Sequence, residues 1–149
     1  MRREGIWHPR LIEVLTGLGH TDLIVVADAG LPVPAGVERI DLLWSRGEPG
    51  FLPVLRAVLA EGVFEHATVA AELADPVAVS GLAAALGPIR RSSVPHERLK
   101  ELTGNARAVI RTGEATPTPT SSCTRASRSD SPPFDTSATH ATKKQKEGP

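Results

Sequence analysis

The chain is poor in cysteine, tyrosine and long apolar runs, and it has no excess of either charge. Its single cysteine, Cys123, excludes an internal disulfide. No stretch reaches the roughly 18 apolar residues of a membrane span, and no apolar segment follows the first basic residues, as it would in a secretory signal. The 17 basic and 17 acidic residues balance, which disfavours nucleic acid or an anionic membrane as partner. We expect a cytoplasmic protein that recognises a small molecule or another protein.

Large aliphatic residues are also missing from the last part of the chain. Residues 118–149 contain no Leu, Ile, Val or Met, Ser and Thr supply 12 of these 32 residues, and Phe134 is the one large apolar side chain. Such a segment cannot bury enough apolar area to offset the entropy lost on ordering it. We therefore expect one domain over residues 1–117 and a disordered tail over residues 118–149.

Residues 1–117 alternate between helical and extended apolar patterns. Leu23 to Ala27 is a short run rich in β-branched residues, typical of a strand buried on both faces. The predicted helices cover residues 9–18, 52–59, 77–86 and 95–102, and the predicted strands cover 23–27, 39–43, 67–71, 88–91 and 108–111. Strands separated by helices predict a single α/β domain with a mostly parallel central sheet flanked by helices.

Two of the five histidines lie at the ends of predicted elements. His20 stands between a helix stop and a buried strand, and Asp28 follows that strand, at the edge where parallel sheets bind ligands. These two side chains could meet only if the chain folds back or a second subunit supplies one of them. His96 begins a helix, and Lys100 lies four residues later on the same face. The remaining histidines, His8, His66 and His140, are expected at the surface.

Periodicity alone leaves a simpler interpretation open for each pair. His20 would then be a helix-end residue and Asp28 a turn residue, while His96 and Lys100 would lie on a solvated helix face.

Several longer segments resemble the D-ribose pyranase family in order and spacing. They are Gly19-His20-Thr21-Asp22, Val26-Ala27-Asp28-Ala29-Gly30-Leu31-Pro32-Val33-Pro34, Arg39-Ile40-Asp41-Leu42, Pro95-His96-Glu97 with Leu99-Lys100, and Val109-Ile110-Arg111-Thr112-Gly113-Glu114-Ala115-Thr116-Pro117. The resemblance covers about residues 4–117. Fucose mutarotases are similar in the Gly-His pair and the Thr-Gly-Glu segment, but they usually lack the Asp-Ala-Gly-Leu-Pro block. The ribose family therefore matches better.

The resemblance implies an isomerase that interconverts the pyranose and furanose forms of D-ribose without a cofactor or a metal. Ring opening requires a proton taken from the anomeric hydroxyl and one given to the ring oxygen, and an imidazole can do either near neutral pH. By the family match, His20 is the catalytic acid/base, and Asp28, His96 and Lys100 hold sugar hydroxyls. The family assembles as a homodecamer of two stacked pentameric rings, with its sites at subunit contacts.

The chain departs from the family after Pro117. Relatives continue with a strand close to Tyr-Ala-Asn-Ile-Ile-Leu, whose tyrosine and asparagine complete a sugar site, whereas this chain has no tyrosine. Codons can be chosen for residues 117–130 that, read one base out of register, encode Tyr-Ala-Asn-Ile-Ile-Leu-His-Ala-Gly-Val-Pro-Phe and then a stop. We interpret residues 118–149 as a frameshifted C-terminus. We therefore expect a missing last strand, with weakened assembly and ribose turnover.

Two other functions remain open at this point. One is a fucose-type sugar mutarotase. The other is a non-catalytic sugar-binding or transport-accessory protein that keeps only part of the pocket.

Overall fold

A six-stranded sheet forms the centre of the molecule. The computed structural model describes residues 3–115 and the backbone of residues 122–126. The strands are β1 Leu23–Ala27, β2 Glu38–Asp41, β3 Phe64–Ala70, β4 Arg90–Val94, β5 Ala108–Arg111 and β6 Ser122–Ala126, in the spatial order β2-β5-β1-β6-β3-β4. β6 runs antiparallel to both of its neighbours, and the other pairs are parallel. The predicted α/β fold with a mostly parallel sheet is confirmed.

Four helices of the described residues cover the two faces of this sheet. They are α1 Pro9–Thr16, α2 Phe51–Glu61, α3 Pro76–Leu86 and α4 His96–Thr103. Side chains of α1, α2 and α3 share one buried cluster with Ile24 and Ile110, whereas Leu99 of α4 shares the other with Val25 and Val109. Because neighbouring strand residues face opposite ways, α4 is the only one of these four described helices that packs on the second face. Within this part of the chain, no helix is long and apolar enough to cross a membrane.

The start of α1 corrects one expectation from the sequence. His8 is the N-cap of this helix rather than a solvated surface residue, because its Nδ1 accepts a hydrogen bond from the Leu11 N–H at 3.2 Å. Pro9 occupies the first turn as predicted, since its missing N–H is not needed there. Gly17 ends the helix two residues before the predicted stop at Gly19.

The prediction of a missing last strand is wrong for Ser122–Ala126. These five residues form β6 between β1 and β3. Strand pairing uses backbone N–H and C=O groups, which every non-proline residue carries, so it does not require an apolar sequence. The pairing also closes the edges that β1 and β3 would otherwise present. The rest of the predicted disordered tail lies outside the described residues.

β6 therefore joins two groups of strands. We call β2, β5 and β1 the apolar half of the sheet, and β3 and β4 the polar half. Because β1 and β3 are both antiparallel to β6, all five strands of the two halves run in the same direction.

Candidate functional site

The carboxyl edge of the sheet carries three of the four predicted site residues. Asp28 follows β1 in the apolar half, and His96 is the first residue of α4, just after β4 in the polar half. Lys100 lies one helical turn further along α4. Because β1 and β4 run in the same direction, the segments after both strands lie at one edge, where parallel sheets bind their ligands.

Residues 28–32, here called the Asp28 loop, are held by short hydrogen bonds. Oδ1 of Asp28 accepts from the Gly30 N–H at 2.8 Å, a turn closed by an aspartate side chain. The Ala29 N–H donates to the Glu114 carbonyl at 2.9 Å. The Thr112 hydroxyl, which is fully buried, donates to the Ala27 carbonyl at 3.0 Å. The direction in which the half-buried Asp28 carboxylate points is therefore tied to its own backbone and to the end of β5.

An arginine–aspartate pair lies beside this loop. Arg111 donates from Nε to Asp41 Oδ1 at 2.7 Å and from Nη2 to Asp41 Oδ2 at 2.9 Å. This guanidinium holds the pKa of the Asp41 carboxyl below its ordinary value, and the carboxylate in turn raises the pKa of Arg111. We did not predict this pair from the sequence. The pattern that could have indicated it is that Asp41 and Arg111 are the charged last residues of β2 and β5.

Gly113 follows Arg111 and packs against the loop of residues 45–49. Its N–H donates to the Pro49 carbonyl at 2.8 Å, and its carbonyl accepts from the Gly47 N–H at 2.6 Å. A Cβ added at this buried glycine would overlap the backbone of Glu48. Only a residue without a side chain fits, so the loop of 45–49 fixes the segment that leads from β5 to Glu114.

His96 is half-buried, and its Nδ1 is buried with no hydrogen-bond partner in the described part of the chain. Its backbone N–H donates to both carboxylate oxygens of Glu72, each at 2.9 Å. This contact lowers the pKa of Glu72, and it caps α4, whose own N-cap Pro95 makes no side-chain hydrogen bond. Glu72 was not predicted, because 24 residues separate it from His96.

Lys100 donates from Nζ to Glu97 Oε1 at 2.9 Å on the same helix. Its side chain is 36 % exposed and that of Glu97 is 82 % exposed. Exposed pairs of this kind contribute little to stability because water screens them. A ligand hydroxyl could therefore replace Glu97 as a partner of the ammonium group at small cost.

His20 does not join this group within one copy of the chain. It lies in an exposed turn before β1, whereas Asp28 follows β1. The five residues of β1 span about 16 Å at the usual rise of a strand. Within one copy the chain does not fold back, so the two side chains lie at opposite ends of β1.

The fold and this edge define a class: a small α/β protein that carries carboxylate, imidazole and ammonium groups at the carboxyl ends of its parallel strands. The chain belongs to the RbsD / FucU family, since the family described as "RbsD / FucU transport protein family" matches residues 1–119.

Three relatives with similar sequences are named D-ribose pyranase. The D-ribose pyranase of Exiguobacterium sibiricum is 48 % identical over 119 residues, which are 78 % of this chain and 91 % of that relative. The D-ribose pyranases of Bacillus licheniformis and Laribacter hongkongensis are 45 % and 47 % identical over the same shares.

Solved structures agree with the fold. Bacillus subtilis RbsD complexed with D-ribose matches with a TM-score of 0.81 and 38 % identity, over 87 % of this chain and 99 % of that one. A match over 87 % of 149 residues extends beyond residue 119, into the part of the chain that holds β6. The fucose mutarotase of Streptococcus pneumoniae, in complex with L-fucose, matches with a TM-score of 0.69 and 17 % identity, over 82 % and 94 % of the two chains. At that identity it supports the fold alone.

Proposed function

We propose that this chain is a D-ribose pyranase, an isomerase that interconverts the pyranose and furanose forms of D-ribose. The observation that carries the proposal is its identity of 45–48 % with relatives named D-ribose pyranase, over 91 % of the length of each relative quoted above. The structural match to RbsD bound to D-ribose supports the same substrate.

The reaction breaks one bond and forms another within the sugar. A proton leaves the anomeric hydroxyl as the bond from C1 to the ring oxygen breaks, and the ring oxygen takes up a proton. The resulting open-chain aldehyde then closes through the C4 hydroxyl to give the furanose form, or through the C5 hydroxyl to give the pyranose form. We assign the proton transfers to His20, because an imidazole both accepts and donates a proton near neutral pH.

We assign sugar binding to three side chains, those of Asp28, His96 and Lys100. A carboxylate accepts hydrogen bonds from two neighbouring hydroxyls, and an ammonium group donates to several oxygens. The buried Nδ1 of His96, which has no partner in the described residues, is a further group that a ligand hydroxyl would satisfy. In this proposal the ribose lies at the carboxyl edge, between the end of β1 and the start of α4.

The site requires a second copy of the chain in this proposal. His20 lies a strand length from Asp28, so an acid/base from one copy must meet the sugar held by another. We propose a homodecamer for the complete assembly and the cytoplasm as its location, on the resemblance of the sequence to the pyranase family.

The test is the rate of exchange between ribose forms, measured by saturation-transfer NMR with and without the protein. The chain should accelerate exchange, His20→Ala should abolish the acceleration, and His140→Ala, which lies beyond the family match, should leave it unchanged. Acceleration that survives in His20→Ala would overturn the role of His20.

Two alternatives are decided by the same measurement. The family description includes the word "transport", which favours a non-catalytic sugar-binding role as the second candidate. Ribose binding without accelerated exchange would support it. Acceleration of L-fucose exchange in preference to ribose would instead assign the chain to the fucose mutarotases.

A further inference from the structure

Arg111 contacts both the neighbouring strand and the Asp28 loop. Besides its two hydrogen bonds to Asp41, it donates from Nη1 to the Ala29 carbonyl at 3.2 Å. We infer that Arg111 is a positioning residue for substrate binding: it fixes the Asp28 loop so that the Asp28 carboxylate points at the sugar. The inference rests on the proposed function, because it takes Asp28 as a sugar ligand.

The strand register makes this arrangement specific to a guanidinium. Arg111 is the register partner of Asp41 on β2 and of Ala27 on β1. A guanidinium carries five N–H donors in a planar fork, so it can bind both oxygens of Asp41 and still donate to Ala29. A lysine carries the same charge on one nitrogen and cannot reproduce the fork.

The Asp28 loop depends on this contact because its other hydrogen bonds hold different atoms. The Ala29 N–H is held by the Glu114 carbonyl, and the Gly30 N–H is held by Asp28 itself. Arg111 holds the carbonyl oxygen of Ala29. Since Oδ1 of Asp28 is bonded within the loop, any rotation of the loop rotates the carboxylate with it.

Burial and charge support the same role. The Arg111 side chain is 18 % exposed and that of Asp41 is 31 % exposed, so the pair is partly withdrawn from solvent. Asp41 is the largest cause of the raised pKa of Arg111, and the charge of Asp28 also contributes. The negative charge of Asp28 thus acts in the same direction as the hydrogen bond from Arg111 to the loop backbone.

Arg39 provides a matched control. Its Nε lies 3.2 Å from Oδ2 of the same Asp41 carboxylate, but its side chain is 58 % exposed, and this ion pair is made with β2 rather than with the Asp28 loop. Each of the two substitutions, Arg111→Lys and Arg39→Ala, thus changes one of the two arginine contacts of Asp41. Only Arg111→Lys also removes the guanidinium that bonds the Ala29 carbonyl.

The experiment measures two quantities on the full-length protein. Hydrogen–deuterium exchange reports the protection of the Ala29 amide, and ribose titration followed by NMR separates the dissociation constant from the exchange rate at saturation. Arg111→Lys should speed exchange of the Ala29 amide about tenfold, the effect of losing one charge-assisted hydrogen bond. The same substitution should raise the dissociation constant for ribose by about the same factor. The rate of ribose interconversion at saturating ribose should change less than about threefold. Arg39→Ala should change none of these.

Each outcome decides a separate point. Unchanged protection of Ala29 in Arg111→Lys would overturn the inference whether or not the chain acts on ribose. Faster exchange of the Ala29 amide together with an unchanged ribose affinity would show that Arg111 has a structural role alone. That result would also overturn the inference. A wild-type chain that neither binds nor interconverts ribose would refute the proposed function, while the amide protection still tests the loop. If Arg111→Lys does not fold, Asp41→Asn replaces it, since this change loosens Arg111 without removing it.

Discussion

The two halves of the sheet are stabilised by different interactions. In the apolar half, residues 24–27 of β1 and 108–110 of β5 are fully buried. In the polar half, every residue of β4 is exposed or half-buried, and Ser92 bonds His66 at 2.8 Å and Thr68 at 3.1 Å. The first half is held by apolar burial, whereas the second relies more on backbone pairing and polar side chains.

This difference matters because the candidate site draws on both halves. Asp28 extends from the apolar half, and His96 extends from the polar half. β6 is the strand between β1 and β3, so it sets the distance between the two groups. The sequence of β6 should therefore affect both the stability of the fold and the geometry of the candidate site.

Restoring the family sequence after Pro117 should have the largest effect. Replacing residues 118–149 with Tyr-Ala-Asn-Ile-Ile-Leu-His-Ala-Gly-Val-Pro-Phe should raise the unfolding free energy by about 3 kcal/mol or more, since each buried Ile or Leu contributes about 1.5–3 kcal/mol. Urea denaturation measures this, and ribose exchange should rise in parallel.

The matched control keeps the length of the new tail but replaces Ile-Ile-Leu with Thr-Thr-Ser. This control should lose most of the added stability. Equal unfolding free energies for the restored and original chains would contradict the view that the present sequence of β6 lowers the stability of the fold. Separately, an intact reading frame in the coding DNA would refute the frameshift.

Gly113→Ala, two residues after β5 of the apolar half, should produce the next largest change. The added Cβ overlaps the backbone of Glu48, which cannot move as a side chain would, so we expect a loss of about 3 kcal/mol or more. Gly19→Ala is the control, because a Cβ there meets Asp22 at an ordinary distance of 3.5 Å. Similar denaturation midpoints for both variants would show that the loop of 45–49 does not constrain the end of β5.

A pair of identical substitutions compares the halves directly. Ile110 is fully buried in β5, and Ile89 is half-buried just before β4. Ile110→Ala should cost about 2–5 kcal/mol, and Ile89→Ala less than about half of that, because less apolar area returns to water. Equal losses, measured by urea denaturation, would mean that the polar half is as tightly packed as the apolar half.

The same contrast explains how much of the fold could be predicted. β5 was predicted at its observed bounds, and so was β1, because a β-branched apolar run signals a buried strand directly. β4 was placed about two residues early, since Arg90 to Ser93 carry no apolar signal. β6 was missed for the same reason: side-chain patterns do not report pairing through the backbone.

The site was predictable to a similar degree. Asp28 was predicted at the carboxyl edge because that position follows from the order of strands and helices. His96 and Lys100 were predicted only as the start and one face of a helix, and their proposed roles came from the family resemblance. Arg111 and Asp41 were not selected, because their contact spans 70 residues and depends on the register of β5 against β2. The contact between Glu72 and His96 likewise depends on how the loop after β3 meets α4.

Asp41→Asn should have the smallest effect, and its pH dependence identifies its cause. The hydrogen bonds from Arg111 lower the pKa of Asp41 from its ordinary value of 3.8 in the folded state. The stabilisation that follows is fully present above the ordinary value and is lost as the pH falls through the lowered pKa. For this partly exposed pair we expect about 1 kcal/mol at neutral pH, after allowing for solvent screening. Urea denaturation of both proteins from neutral pH downward should show a difference that is constant until about pH 4 and then shrinks. A difference that stays constant below that range would mean that Asp41 acts through packing or neutral hydrogen bonding rather than through its charge.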